Sequence, residues 1–503
     1  MKMSRRSLLV ASGSAAAAVT VARSAAAQST TGHEGHITKD MPDMPGMSDM
    51  PNMPGMPETK RESSAETPHT DAVPAQATRG YRPVRTLNGW TLPYKLTDGV
   101  KEFHLVAEEF EHEFAPGSKA KVWGYNGSTP GPTIEVVEGD RVRLLVTNRL
   151  GEHTTIHWHG ITLPSGMDGV GGLSQPHIEP GETFAYEFTL RQHGTHMYHP
   201  HADEMVQMAL GMMGMFIIHP RNAEPVPIDR DYCFLLHNWA LHPGTYRPDP
   251  MVMQDFDLWT FNSKVFPAIE TIVARTGERV RLRIGNLSMW NHPIHLHGVE
   301  YVVTGSDGGR WPREQWRREV TEIVGVGQAR DIEFIARPGD WALHCHMSHH
   351  TMNAMGHDIP NNLGVDQSGL QNEIRDLLPG FMAMGENGMA EHQEHAQMGH
   401  MKGPENTLPM MVGAGPFGNL EMGGMFTLVK VRDNLAHDDY RDPGWYKNPP
   451  GTVARRVSSD PNYGKPVRRP GAGASTIEMP AQPPMDHSKM DHSMMDHSAK
   501  PKQ

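Results

Sequence analysis

The chain reads as all-β, built from two copies of one β-sandwich domain with irregular segments attached. Three observations predict this. The run "PTIEVVEGDRVRLLVTN" followed by "HTTIHWHG" matches "PAIETIVARTGERVRLRIGN" followed by "NHPIHLHG", so that Gly139 falls on Gly277, Asn148 on Asn286, His157 on His295 and His159 on His297, at a constant offset of 138 residues. A second pair, "GTHMYHPH" (194–201) and "GDWALHCH" (339–346), follows at an offset of 145. Both runs alternate apolar and polar residues and are rich in Val, Ile and Thr, the pattern of half-buried strands. Each copy then spans roughly 130–150 residues, a common domain size, and a strand-rich unit of that length suggests a sandwich.

In chain order, residues 1–28 ("MKMSRRSLLVASGSAAAAVTVARSAAAQ") read as an export signal, with a basic start, an apolar stretch and a small-residue exit. Arg5 and Arg6 resemble the twin-arginine motif of proteins exported already folded, which implies a periplasmic destination. The apolar stretch is too short and too rich in Ala and Ser for a membrane anchor, and no later segment reads as a membrane span. Residues 29–80 form a Met/Pro/His-rich linker. There Met41, Met44, Met47, Met50, Met53 and Met56 recur every third residue, a period that lines their sulfurs along one edge of a polyproline II helix. The first domain covers 81–228. The second covers 229–434 and carries a Met-rich insert at about 361–422. Residues 435–503 are a C-terminal extension ending in a tail with "MDHS" three times. Both tails read as disordered.

The net charge of −12, without a basic stripe, excludes nucleic acid as a partner. The 31 His and 35 Met are the unusual counts, because imidazole and thioether are ligands for copper in both oxidation states. Successive side chains of a strand point to opposite faces, so in "HCH" His344 and His346 face one way and Cys345 the other. One short strand then touches two metal sites. The same alternation pairs His157 with His159, His199 with His201, and His295 with His297. Eight paired imidazoles suit a cluster of several ions, since a single zinc needs only about four ligands. In the second copy His292, Cys345, His350 and Met355 supply the two imidazoles, thiolate and thioether of a blue-copper site. The first copy has Thr154, Pro200, Met205 and Leu210 at the matching positions, which predicts one such copper per chain, in the second domain. The remaining cysteine, Cys233, lies in an apolar strand-like run and reads as a buried thiol.

"HWHG", "HPIHLHG", "GTHMYHPH" and "HCHMSHHTMNAM" together resemble the four copper signatures of the multicopper oxidases. The resemblance covers roughly 85–360 and resumes at "GGMFTLVKVR" (423–432). It implies cupredoxin-like Greek-key sandwiches and four coppers, which couple one-electron oxidation of a small reductant, such as Cu(I) or a phenol, to reduction of O2 to water. It assigns His292, Cys345, His350 and Met355 to the type 1 copper, and His157 and His295 to type 2. His159, His199, His201, His297, His344 and His346 go to the type 3 pair. Met425, in "GGMF", also resembles the type 1 thioether. Electrons would enter at an exposed edge of His292 or His350. Asp168 resembles an acidic residue assisting proton delivery, and His349 stands where many relatives have a carboxylate that feeds protons to O2. Only 90 residues separate His201 from His292, too few for a third domain. This resembles the two-domain members, which close as homotrimers with the copper cluster between subunits. The insert resembles Met-rich segments that deliver Cu(I) and block bulky phenols. Two rival readings are a copper nitrite reductase, which needs fewer histidines, and a copper-sequestering protein without turnover.

Overall fold

A computed structural model describes residues 81–224, 226–242, 244–254, 256–351, 356–357, 383–384, 414–420, 422–459 and 464. The export signal, the Met/Pro/His-rich linker, Met355, most of the Met-rich insert and the "MDHS" tail lie outside the described residues. The regular structure among the described residues is nearly all strand, with a single six-residue α-helix at Glu204–Ala209.

The first lobe is two sheets face to face. One holds Lys95–Thr97, Val100–Ala115, Ser118–Tyr125, Arg141–Asn148 and Thr183–Thr189. The other holds Gly131–Val137, Gly214–His219, Gly194–His199 and His157–His159 in that order. Arg141–Asn148 alternates exposed and buried residues, as its sequence predicts, and its Val142, Leu144 and Val146 meet Phe103, Val136, Trp158 and Phe216 in one core. The second lobe repeats the plan. One sheet carries Arg230–Trp239, Arg279–Asn286, Ala329–Ile335 and Tyr301–Ser306. The other runs Ile272–Arg275, Phe426–Arg432, Gly339–Cys345, His292–Leu296, Thr321–Val324.

Arg230–Trp239 is buried along its whole length. Its alternate faces serve two cores: Tyr232, Phe234 and Leu236 fill the second lobe, while Cys233, Leu235 and Trp239 pack on Met197, Met213, Met215 and Ile217 of the first. Cys233 is fully buried and unbridged. Thr86 Oγ1 lies 3.2 Å from its sulfur, and burial pushes the thiol up to about 12. The lobes also share a strand, because Val84–Thr86, ahead of the first lobe, pairs in parallel with Asp231–Cys233 of the second lobe's sheet. Buried ions complete the seam. Arg283 grips Asp231 at 2.8 and 2.9 Å, and Thr195 on the first lobe's histidine strand donates to Asp331 of the second at 2.6 Å.

The duplication reaches single side chains. Asn148 Nδ2 donates to the carbonyls of Glu152 and Ile178, and Asn286 Nδ2 donates to those of Trp290 and Val324. Each asparagine thereby fixes the loop that leads into its lobe's histidine strand.

Candidate metal centres

In the first lobe His157 stands directly across from His199 in the antiparallel ladder, with Trp158 between the two strand histidines turned into the core. The second lobe repeats the pairing, with His295 across from His344 and Ile294 across from Cys345. Each ladder therefore raises a histidine group on its outer face. His159 Nδ1 lies 3.2 Å from His199 Nε2, and His201 sits with its ring 5.7 Å from that of His157. His297 Nε2 lies 3.1 Å from His344 Nε2, and His346 is 5.4 Å from His295 ring to ring. Two quartets result, one per lobe, and no ring contact joins them among the described residues. His297 and His346 are exposed.

Partners behind the rings fix which nitrogen faces the site. His157 Nδ1 donates to the backbone carbonyl of Asp168 at 2.8 Å, with the Asp168 carboxylate 3.4 Å away. His199, His344 and His295 turn Nδ1 to the carbonyls of Pro200, Cys345 and Val320, at 2.9, 2.8 and 2.6 Å. Their Nε2 atoms are left as ligands. Burial, reinforced by neighbouring imidazoles, brings His199 down to about 3 and lowers His159, His297 and His344. These four rings are neutral near pH 7, the form that ligates a metal.

On the other face of the same strand Cys345 Sγ lies 3.3 Å from His350 Nδ1 and 3.6 Å from His292 Nδ1, and the two nitrogens are 3.1 Å apart. The opposite facing of His344 and Cys345 matches the expected alternation. Bonds of 2.0–2.3 Å to a central ion would separate such ligand atoms by about 3.3–3.7 Å, so the triangle, slightly tighter than that on its nitrogen–nitrogen side, is the right size for one metal. Two imidazoles and a thiolate are the donor set of blue copper. Ser288 Oγ holds His292 from behind, 2.8 Å from Nε2. Burial pushes the Cys345 thiol up to about 12, brings His350 down to about 3 and holds His292 far below its usual range. A metal replaces that thiol proton. In the first lobe the place of His292 is taken by Thr154, whose hydroxyl donates to buried Gln207 at 2.7 Å, and no cysteine is near.

Two expectations change here. His292 and His350 are fully buried, so neither offers an exposed edge. Trp259 stacks on His350 with centroids 4.8 Å apart. His349 sets its ring against His350, Trp259 and Trp290 and makes no ring contact with the eight quartet imidazoles. It lies on the thiolate's side, away from the face where a proton donor to O2 would stand. Sequence reasoning also missed Trp259 and Ser288. Ser288, four residues before His292, had a local signal, while Trp259 had none. For the thioether, Met355 is outside the described residues. Met425 is fully buried in the second lobe's core. Its carbonyl accepts from Cys345 N–H at 3.1 Å and its N–H donates to His350 O at 3.0 Å. The ladder's last pair is His344 with Phe426, and the Cys345 N–H bond carries the contact one residue further, to Met425.

Two multicopper oxidase family models match, over residues 107–223 and 242–363, one on each lobe. The chain belongs to the multicopper oxidase family. Copper resistance protein A of Escherichia coli is 35% identical over 44% of this chain and 36% of its own length. A copper resistance protein A homolog of Pseudomonas syringae pv. tomato is 28% identical over 63% and 60%. This oxidase therefore spans between about a third and three fifths of these curated relatives. Among solved structures, the blue copper oxidase of Nitrosomonas europaea is 26% identical over 66% of this chain and 85% of its own, with a TM-score of 0.48. No helix of this oxidase, among the described residues, is long and apolar enough to cross a membrane.

Proposed function

We propose that this multicopper oxidase couples one-electron oxidation of a small reductant, Cu(I) or a phenol, to four-electron reduction of O2 to water. We place it in periplasmic copper resistance, after export by the twin-arginine route. The carrying observation is the double facing of one strand: the Cys345 sulfur closes the buried triangle with His292 and His350, while His344 joins the outer quartet. When bound, copper supplies one-electron acceptance at the triangle and O2 reduction at the quartets.

The chain's residues do the rest. His292, Cys345 and His350 hold the type 1 ion in a dry pocket, with Met425 as its thioether in place of Met355. His157 and His295 serve the type 2 ion. His159, His199, His201, His297, His344 and His346 serve the type 3 pair. Two backbone steps link Cys345 to its flanking histidines. The Asp168 carboxylate, 3.4 Å from His157 Nδ1, is the acidic group placed to assist proton delivery on the quartet side. Each quartet carries half of the eight imidazoles, and the second lies open at His297 and His346. Val320, Ile323 and Val326, on the segment against its histidine strand, are 50, 58 and 50% exposed. These features support a head-to-tail homotrimer in which the first-lobe quartet of one subunit meets the second-lobe quartet of the next. Gly423 N–H donates to Thr351 O at 2.8 Å, so the described residues on either side of the Met-rich insert meet beside the triangle. That tether supports a role in Cu(I) delivery.

The test is copper content, colour and oxygen uptake on fully loaded protein. We expect four coppers per chain, an intense thiolate-to-copper band, and O2 consumption with Cu(I) or hydroquinone. Cys345→Ser should lose band and turnover while its far-ultraviolet circular dichroism is unchanged. Fewer than four coppers, or no catalytic O2 uptake, sinks the proposal.

A further inference from the structure

The three ligands of the buried triangle, His292, Cys345 and His350, are each 0% exposed, so an electron must cross a layer of protein to reach them. Three aromatic rings make that layer on the His350 side. Trp259 is 2% exposed and lies flat on His350, at 19° and 4.8 Å, which makes it a wall. Trp290 is half-buried, and its centroid is 6.1 Å from that of His350. His349 is exposed, its centroid is 4.2 Å from that of His350, and its ring also stands edge-on to Trp259 at 5.5 Å and 90°. Of the three, His349 combines open contact with solvent and the shortest approach to a ligand. Its neighbours fix its ring on two sides, which suits short-range electron transfer because nothing must reorganise.

We propose that His349 is the contact residue through which small reductants pass electrons to the copper held by His292, Cys345 and His350; this rests on the oxidase function proposed above. A donor touching the imidazole edge loses one electron and that copper gains it. A phenolic donor releases its hydroxyl proton to water, and His349 ends with its bonds and charge unchanged. Donors too bulky to touch this edge are left facing the Trp290 rim, farther away.

His349→Leu tests this, since leucine fills the place of the ring without offering one, and the position is exposed enough to tolerate the change. Copper-loaded protein is mixed with hydroquinone in the absence of O2, and bleaching of the blue band is followed. We expect bleaching to slow about tenfold, equivalent to about 1.4 kcal/mol at the barrier, with the position of the band and the reduction potential of the type 1 copper unchanged. Trp290→Leu should slow it less. Bleaching as fast as or faster than in the unmodified protein overturns the assignment, as does slower bleaching with a shifted potential, or an equal or larger effect at Trp290. An unmodified protein without a blue band overturns both this inference and the function beneath it.

Discussion

The backbone of Met425 meets that of Cys345 one step past the last pair of an antiparallel ladder, with Cys345 N–H donating to Met425 O at 3.1 Å, and this is the ground for proposing as thioether a residue eighty positions downstream of the cysteine. Leucine matches methionine closely in volume, so Met425→Leu should cost less than about 1.5 kcal/mol in stability. It removes a sulfur donor, however, and the loss of an electron-donating ligand favours the reduced ion. The expected outcome is a higher type 1 reduction potential and an altered blue-band spectrum, with neither change in Met355→Leu. The opposite pattern would return the ligand role to Met355. At this scale the paired histidines and Cys345 are legible in the sequence, because a strand's period of two displays them and the repeat shows them twice. The choice between Met355 and Met425 for the thioether is not, because both stand in stretches that resemble the ligand motif and the Met-rich insert separates Met425 from His350. Trp259 is equally hidden. Nothing in "FDLWTFN" marks the residue that lies on His350, since the contact arises from packing of Leu258–Phe261 against the turn Ser348–Thr351.

At the scale of elements, each lobe seats its quartet by one cross-strand histidine pair, and short loops hold the flanking rings. The loop behind His157 is the tightest. Gly169 has φ +85°, and a Cβ there would overlap the Ile156 carbonyl, immediately before His157. Gly169→Ala must therefore pay about 1–3 kcal/mol of backbone strain or move the loop, and moving it takes Asp168 off His157 Nδ1. We expect weakened type 2 copper, seen as loss of its paramagnetic resonance signal during dialysis, with the blue band retained. Equal retention of both signals would show the loop to be unimportant. The sandwich strands are legible from alternation, and Asn148 and Asn286 from the constant offset. The pairing of Val84–Thr86 with the second lobe is not legible, because three residues carry too little pattern to choose a sheet.

Over the whole molecule, buried ions add to the apolar cores, and one cluster lies within the second lobe's sheet. Glu333, 1% exposed, lies 2.8 Å from Arg281 and 2.6 Å from Arg310, with Arg279 also bonded to it. Burial alone would raise its carboxyl from the usual 4.5, but Arg281, Arg310 and Arg279 together bring it down to about 2. A carboxylate with a depressed folded value stabilises the fold above its unfolded value, and that contribution is lost as pH falls from about 4.5 towards 2. Glu333→Gln, which strips charge from buried arginines, should lose roughly 3–5 kcal/mol at pH 7. It should then show a shallower further decline than the unmodified protein across that acid window in denaturant melts. Parallel declines would mean the carboxyl is not held down. The strand Val84–Thr86 sets a different constraint, on how this chain can be taken apart. A gene cut at the natural-looking boundary near residue 228 leaves the outermost strand of the downstream half on the upstream fragment. The downstream piece would then show a bare edge of unpaired backbone beside Cys233, a template for aggregation. Separate expression of the halves should give insoluble material unless residues 84–86 are grafted back, and a protease that nicks the connection should leave the two pieces bound to each other.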